Sequence, residues 1–81
     1  MPHKKEMKMT KQIENKVEYI VALISGFAKE HSLTDSEAYR YLKHYGGIKL
    51  ADDNYEIMHT LDFSQVLSDV ASYCKKFGGM L

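Results

Sequence analysis

Cys74 and the four histidines are the side chains of this 81-residue chain that could serve as a thiolate nucleophile or an imidazole ligand. A reactive cysteine needs an exposed, electropositive setting that lowers its pKa. Cys74 instead falls in the middle of an apolar stripe at helical spacing, with Lys75 and Lys76 turned to the opposite face, so a buried structural thiol is expected. His3, His31, His44 and His59 are too widely spaced for the paired arrangement of a helical zinc site. Asp52, Asp53 and His59 could meet around a turn, but a metal site there is strongly disfavoured. Gly46-Gly47 and Gly78-Gly79 follow helical patterns and read as helix stops, not phosphate loops. No Ser-His-Asp or Cys-His pairing is specified. The expectation is a protein that is not an enzyme and has no cofactor or metal.

Surface chemistry is more informative. The chain has six tyrosines and no tryptophan, and a tyrosine ring can bury area while its hydroxyl keeps a polar contact, which suits interfaces. Tyr41 and Tyr45 share a stripe with Ala38 and Leu42 and read as core; Tyr39 lies about 100° off that stripe and is a candidate interface residue. Formal charge sums to zero from 11 basic and 11 acidic side chains. The two signs are nonetheless separated. Residues 1–16 carry Lys4, Lys5, Lys8, Lys11 and Lys16 against Glu6 and Glu14, whereas Asp52, Asp53, Glu56, Asp62 and Asp69 occupy a stretch with no lysine or arginine between Lys49 and Lys75. Such an acidic half would repel phosphates. It reads as a solvated surface or, as the second choice, a face for a basic partner.

These residues are positioned by elements whose boundaries the sequence marks. Residues 1–9 read as a flexible tail, and 10–79 as a single helical domain. A first helix over about 10–30 carries Ile13, Val17, Ile20, Val21, Ile24, Phe27 and Ala28 within roughly 120° of its wheel, the face expected to meet the other helices. Tyr19, Leu23 and Gly26, with Ala22 beside them, form a second stripe. Either another helix of the chain covers it, or it is a subunit interface; the expectation taken forward is a homodimer through Tyr19, Ala22, Leu23 and Gly26. Thr34 and Glu37 have capping-box spacing, with Leu33 and Ala38 in the staple positions, and open a second helix that ends near Tyr45. Leu50 to Tyr55 suits a short helical turn, and the alternation of Tyr55, Ile57, His59 and Leu61 suits an extended connector. Asp62 caps the last helix, whose stripe is Phe63, Val66, Leu67, Val70, Ala71, Cys74 and Phe77. Thr60 and His59 are expected to fix the connector at that helix entrance, with His59 bridging to the second helix through a tyrosine hydroxyl. Its replacement by alanine would then cost ~1–2 kcal/mol.

The fold class is therefore all-α: a small bundle of three main helices, about 10–30, 34–45 and 62–77, with a short helical or irregular insert before the last. The runs Leu33 to Leu42, Gly46-Gly47-Ile48 and Tyr55 to Leu61 resemble a bacterial family of unknown function, domain-of-unknown-function family 3791, over about Ile13 to Phe77. The run Tyr55 to Thr60, ending in His59-Thr60, is the most specific part. The resemblance implies a short helical bacterial protein with no family catalytic residues to transfer. It also implies an accessory or neutralising role, because members lie beside uncharacterised genes, some resembling toxin enzymes that modify with ADP-ribose.

The functional expectation is a small protein-interaction module, cytoplasmic by its single cysteine and lack of an apolar span, acting as a homodimer or with a genetically linked protein. A helix-turn-helix regulator is one alternative, supported by Arg40, Lys43, His44 and Lys49 but weakened by the acidic turn and the serine-rich face of the last helix. A small enzyme is the other.

Overall fold

The computed structural model describes the side chains of residues 14–81, and the tail expected over residues 1–9 lies outside them. Among the described residues five helices follow in order: α1 (Pro2–Glu30), α2 (Asp35–His44), α3 (Gly47–Asp53), α4 (Tyr55–Met58) and α5 (Phe63–Lys76). No strand occurs among the described residues, and the fold is the small all-α bundle that the periodicity predicts. The insert resolves into two short helices, α3 and α4.

Local chemistry sets each corner. At the end of α1, Ser32 takes a left-handed φ of 56° and the Leu33 N–H donates back to the Ala28 carbonyl at 2.8 Å. This five-residue reach closes the helix end and reverses the chain. Two residues later the capping box forms as its spacing predicts. The Glu37 N–H donates to Thr34 Oγ1 at 3.1 Å, and the Thr34 N–H donates to Glu37 Oε1 at 2.9 Å. Gly46, at φ 84°, makes the left-handed corner between α2 and α3. Gly47 has a different job. A Cβ there would lie 2.9 Å from Leu42 and 3.2 Å from both Cys74 and Val70, so α3 starts where only a bare backbone fits between α2 and α5.

The extended connector expected over Tyr55 to Leu61 is not what forms. The Asn54 carbonyl accepts from the Ile57 and Met58 N–H groups at 3.1 and 2.9 Å, and the Tyr55 carbonyl accepts from the His59 N–H at 2.9 Å. A lone strand would have left these backbone groups without partners, and a helical turn satisfies them locally. Met58 turns inward and is buried; Ile57, next to it, turns out.

The core is built from all five helices, and every buried side chain among the described residues is apolar. From α1 it takes Leu23, Phe27 and Ala28; from α2, Ala38 and Leu42; Ala51 and Met58 come from the short helices. Val66, Leu67, Val70 and Cys74 of α5 complete it. Here the reading of α1 needs correction. Its buried line is centred on Leu23, which is fully enclosed, with Tyr19, Ile20 and Ile24 packed beside it. Val17 and Val21, expected to face the core, are 54% and 55% exposed. On the wheel they lie about 120° and 160° from Leu23; Ala28 has an intermediate angle but lies about two to three turns closer to the reversal into α2, and it is buried, so position along the helix decides their exposure. Gly26 explains the rotation: a Cβ on it would sit 3.0 Å from the Phe63 ring and 3.2 Å from Leu67, so α5 closes on α1 from the side of the second stripe. With α2 packed on the other side of α1, the centre of burial moves to the line between the two stripes. On α5, Phe77 is exposed where the stripe placed it in the core, because it is the C-cap residue, beyond the last turn that has helices to pack on.

Truncating Leu23 removes a fully enclosed side chain, and truncating Val21 removes an exposed one. Leu23→Ala should therefore destabilise the protein by about 2–5 kcal/mol, while Val21→Ala should stay within about 0.5 kcal/mol of the parent. Denaturant titration of the two variants checks this, and equal losses would return the core to the Val17–Val21 face.

Candidate interaction surface

Around the α4–α5 junction the chain leaves large apolar side chains in solvent. Ile57 is 66% exposed and Leu61 49%, and Phe63, at the first position of α5, keeps part of its ring exposed. Carboxylates surround them in sequence, since Asp52, Asp53, Glu56 and Asp62 are all exposed. Two of these carboxylates are paired, Asp52 with Lys16 and Asp53 with Lys49, each at 3.1 Å, so the acidic surplus beside the apolar side chains is carried by Glu56 and Asp62.

An aromatic series holds this surface to α1. Tyr55 stacks on His59 with ring centroids 4.6 Å apart and planes 17° from parallel. The Tyr19 ring meets Tyr55 edge-on at 5.5 Å and Phe63 edge-on at 6.1 Å. The Tyr19 hydroxyl donates to the Met58 carbonyl at 3.2 Å, and burial first, then the neighbouring Tyr55, pushes its pKa above the usual tyrosine value. Lys16 adds an ion pair to Asp52 at 3.1 Å. The two short helices are thus tied to α1 along its side.

His59 and Thr60 close α4 locally. His59 Nδ1 bonds the Tyr55 carbonyl at 2.8 Å and Thr60 Oγ1 donates to the Ile57 carbonyl at 2.6 Å, each adding a side-chain bond to a carbonyl that already accepts from a backbone N–H of the same turn. The bridge from His59 to α2 does not form: His59 is exposed and its partners are within its own turn. Asp62 caps α5 by accepting from the Gln65 N–H at 3.3 Å. The Gln65 side chain donates onward to Asp69 at 2.9 Å, not back to the cap.

The expected dimer face is taken apart by the same packing. Leu23 is fully enclosed, Gly26 lies under Phe63 and Leu67, and Tyr19 is engaged with α4 and α5. Ala22 alone of that group stays exposed. An interface built on Leu23 would require the monomer core to open. Tyr39 is exposed as expected, with Lys43 Nζ 5.8 Å from its ring centre. It is on α2, outside the α4–α5 junction.

Cys74 is buried, and that burial raises its pKa against the smaller opposing effect of a backbone hydrogen bond at Gly47. Among the described residues no three His, Cys, Asp or Glu side chains are grouped so as to hold a metal, and no helix is long and apolar enough to cross a membrane. The residues that the sequence reading missed are Ile57, Leu61 and Phe63. Their signal was an i, i+4 apolar pair set between acidic residues, which the alternating pattern of Tyr55 to Leu61 concealed.

Fold and surface together define a small all-α protein whose most distinctive exposed chemistry is apolar and acid-framed. The chain belongs to the family described as Protein of unknown function (DUF3791), whose model matches residues 18–76, from within α1 to the last residue of α5. No curated protein and no solved structure matches it.

Because His59 is exposed and its lost partner can be replaced by water, His59→Ala should cost less than about 1 kcal/mol, below the range for a buried orphan. A thermal melt checks this, and a larger loss would show that the ring stack carries the α4 turn. At the other end of the fold, Glu37 is held below the usual glutamate range, chiefly by the Thr34 N–H and then by the Thr34 side chain. A depressed folded-state pKa means that the capping contribution is complete above the ordinary carboxylate pKa and is lost as pH falls through the lowered value. Acid titration of stability should show this loss in the parent and a smaller one in Glu37→Gln.

Proposed function

We propose that this protein is a small protein-interaction module of the bacterial cytoplasm whose contact surface is the α4–α5 junction, not a catalyst. The exposure of Ile57 and Leu61 within an acidic frame carries this reading. Exposed apolar side chains grouped at one place mark an interaction surface, and each ~100 Å² of apolar surface covered contributes about 2.5 kcal/mol. The acidic frame selects the partner: a basic surface gains favourable encounter, while an acidic one is repelled. The accessory or neutralising role implied by the family resemblance is consistent with such a face, because covering a partner requires a surface and no reaction.

Support for the alternatives is weaker. Helix α5 presents Ser68, Asp69 and Ser72 to solvent, a poor set for reading base edges. The buried Cys74 thiol and the scattered histidines offer no nucleophile–base pair.

The test is purification of the full chain at native level from its own host, beside an Ile57→Asp/Leu61→Asp variant. Both substitutions are at exposed positions, so stability should change by no more than about 0.5 kcal/mol at each. The parent should emerge with a stoichiometric protein companion or as its own oligomer, and the variant should emerge alone with its fold intact by circular dichroism. A parent that emerges alone, or a companion retained by the variant, contradicts the reading.

A further inference from the structure

We propose that the occupant of the α4–α5 junction is a second copy of this chain, with the lysine-rich start of α1 from each copy lying across the Ile57–Leu61–Phe63 face of the other. This rests on the interaction reading above and names its partner. Charge complementarity within the sequence is the first argument. Residues 1–16 hold Lys4, Lys5, Lys8, Lys11 and Lys16 against two glutamates, and the junction is framed by Asp52, Asp53, Glu56 and Asp62 with no lysine or arginine between Lys49 and Lys75. The chain already makes two such pairings internally, Lys16 to Asp52 and Lys49 to Asp53, each at 3.1 Å, so the contact between copies draws on Glu56 and Asp62 and on the lysines ahead of Lys16.

Apolar complementarity is the second. The segment that carries the lysines also carries Ile13 in sequence and Val17, whose side chain is 54% exposed. It can therefore offer both what Ile57 and Leu61 need and what the carboxylates need. Because α1 is one unbroken helix from Pro2 to Glu30, it cannot double back to lay its first turns on its own α4. A second copy supplies them without that constraint.

Area is the third. A stable contact takes about 800 Å² from each partner, more than the three exposed side chains of one junction can provide. Two-fold symmetry uses the junction and the basic segment of each copy once, doubling every contact in one closed dimer.

The experiment is sedimentation of the full chain at about 100 μM in low salt and in about 1 M salt, where the Debye length falls to about 3 Å. Two variants accompany it: Asp53→Lys/Glu56→Lys on the junction and Lys5→Glu/Lys8→Glu on the basic segment. The parent should be a dimer in low salt and should weaken at least tenfold in high salt. Each variant alone should be a monomer, since like charges now meet in both contacts. An equimolar mixture of the two should dimerise again, because each contact in the mixed dimer pairs opposite charges. A parent that is monomeric in low salt, a dimer indifferent to salt, or a mixture that stays monomeric overturns the proposal. If the parent is monomeric yet its host companion is lost in Ile57→Asp/Leu61→Asp, the interaction reading survives and the second copy does not.

Discussion

The close approach of α5 to α1 at Gly26 is the constraint on which the rest of the structure depends. At that point the bare backbone of one helix lies within contact distance of Phe63 and Leu67 of the other. α5 thereby covers the Tyr19–Leu23–Gly26 side of α1, while α2 covers the opposite side. An 81-residue chain without disulfides has little apolar area to spare, so a single helix that buries a wide arc against two partners is an efficient use of it. The corners follow from this requirement. The reversal at Ser32 and Leu33 brings α2 back along α1, and Gly46 and Gly47 set α3 tightly between α2 and α5. What remains unburied is then fixed as well: Val17 and Val21 on the outer edge of α1, Ile57 on the outer side of the short α4, and Leu61 in the turn between α4 and α5.

Where local chemistry decides the structure, the sequence was readable. The Thr34–Glu37 box, the Asp62 cap and the apolar period of α5 each act within one or two turns, and each formed at the expected residues. Two features depended on distant packing and were misread. The wheel of α1 shows two adjacent stripes but cannot say where the partner helices will centre; Gly26 was read as a dimer contact when its missing side chain was the place for α5. In the same way, the alternation of Tyr55, Ile57, His59 and Leu61 has a two-residue period, yet no second strand exists to pair with it. Backbone hydrogen bonding then overrode the pattern and made a helical turn. Ile57 on α4 and Leu61 in the turn that follows it were therefore hidden as a surface feature until that turn was known.

The junction also shows how a four-residue helix is kept in place. α4 is too short to be stable alone, and it is held by the Tyr19 hydroxyl at the Met58 carbonyl, by the Tyr55–His59 stack and by the inward side chain of Met58. Its inner side thus acts as the anchor and its outer side stays free. Surface positions held by a rigid scaffold lose little conformational freedom on binding, which favours their use as contacts.

The central claim is that association uses the outer face of α4 and leaves the α1 core line closed. Methyl-resolved NMR of the full chain, followed through a dilution series, tests it most directly. The account predicts concentration-dependent shifts at the methyl groups of Ile57 and Leu61, with Leu23 and Val66 unchanged throughout. Shifts at Leu23 and Ala22 with Ile57 and Leu61 unmoved would contradict it, because the core line of α1 would then be the surface in exchange.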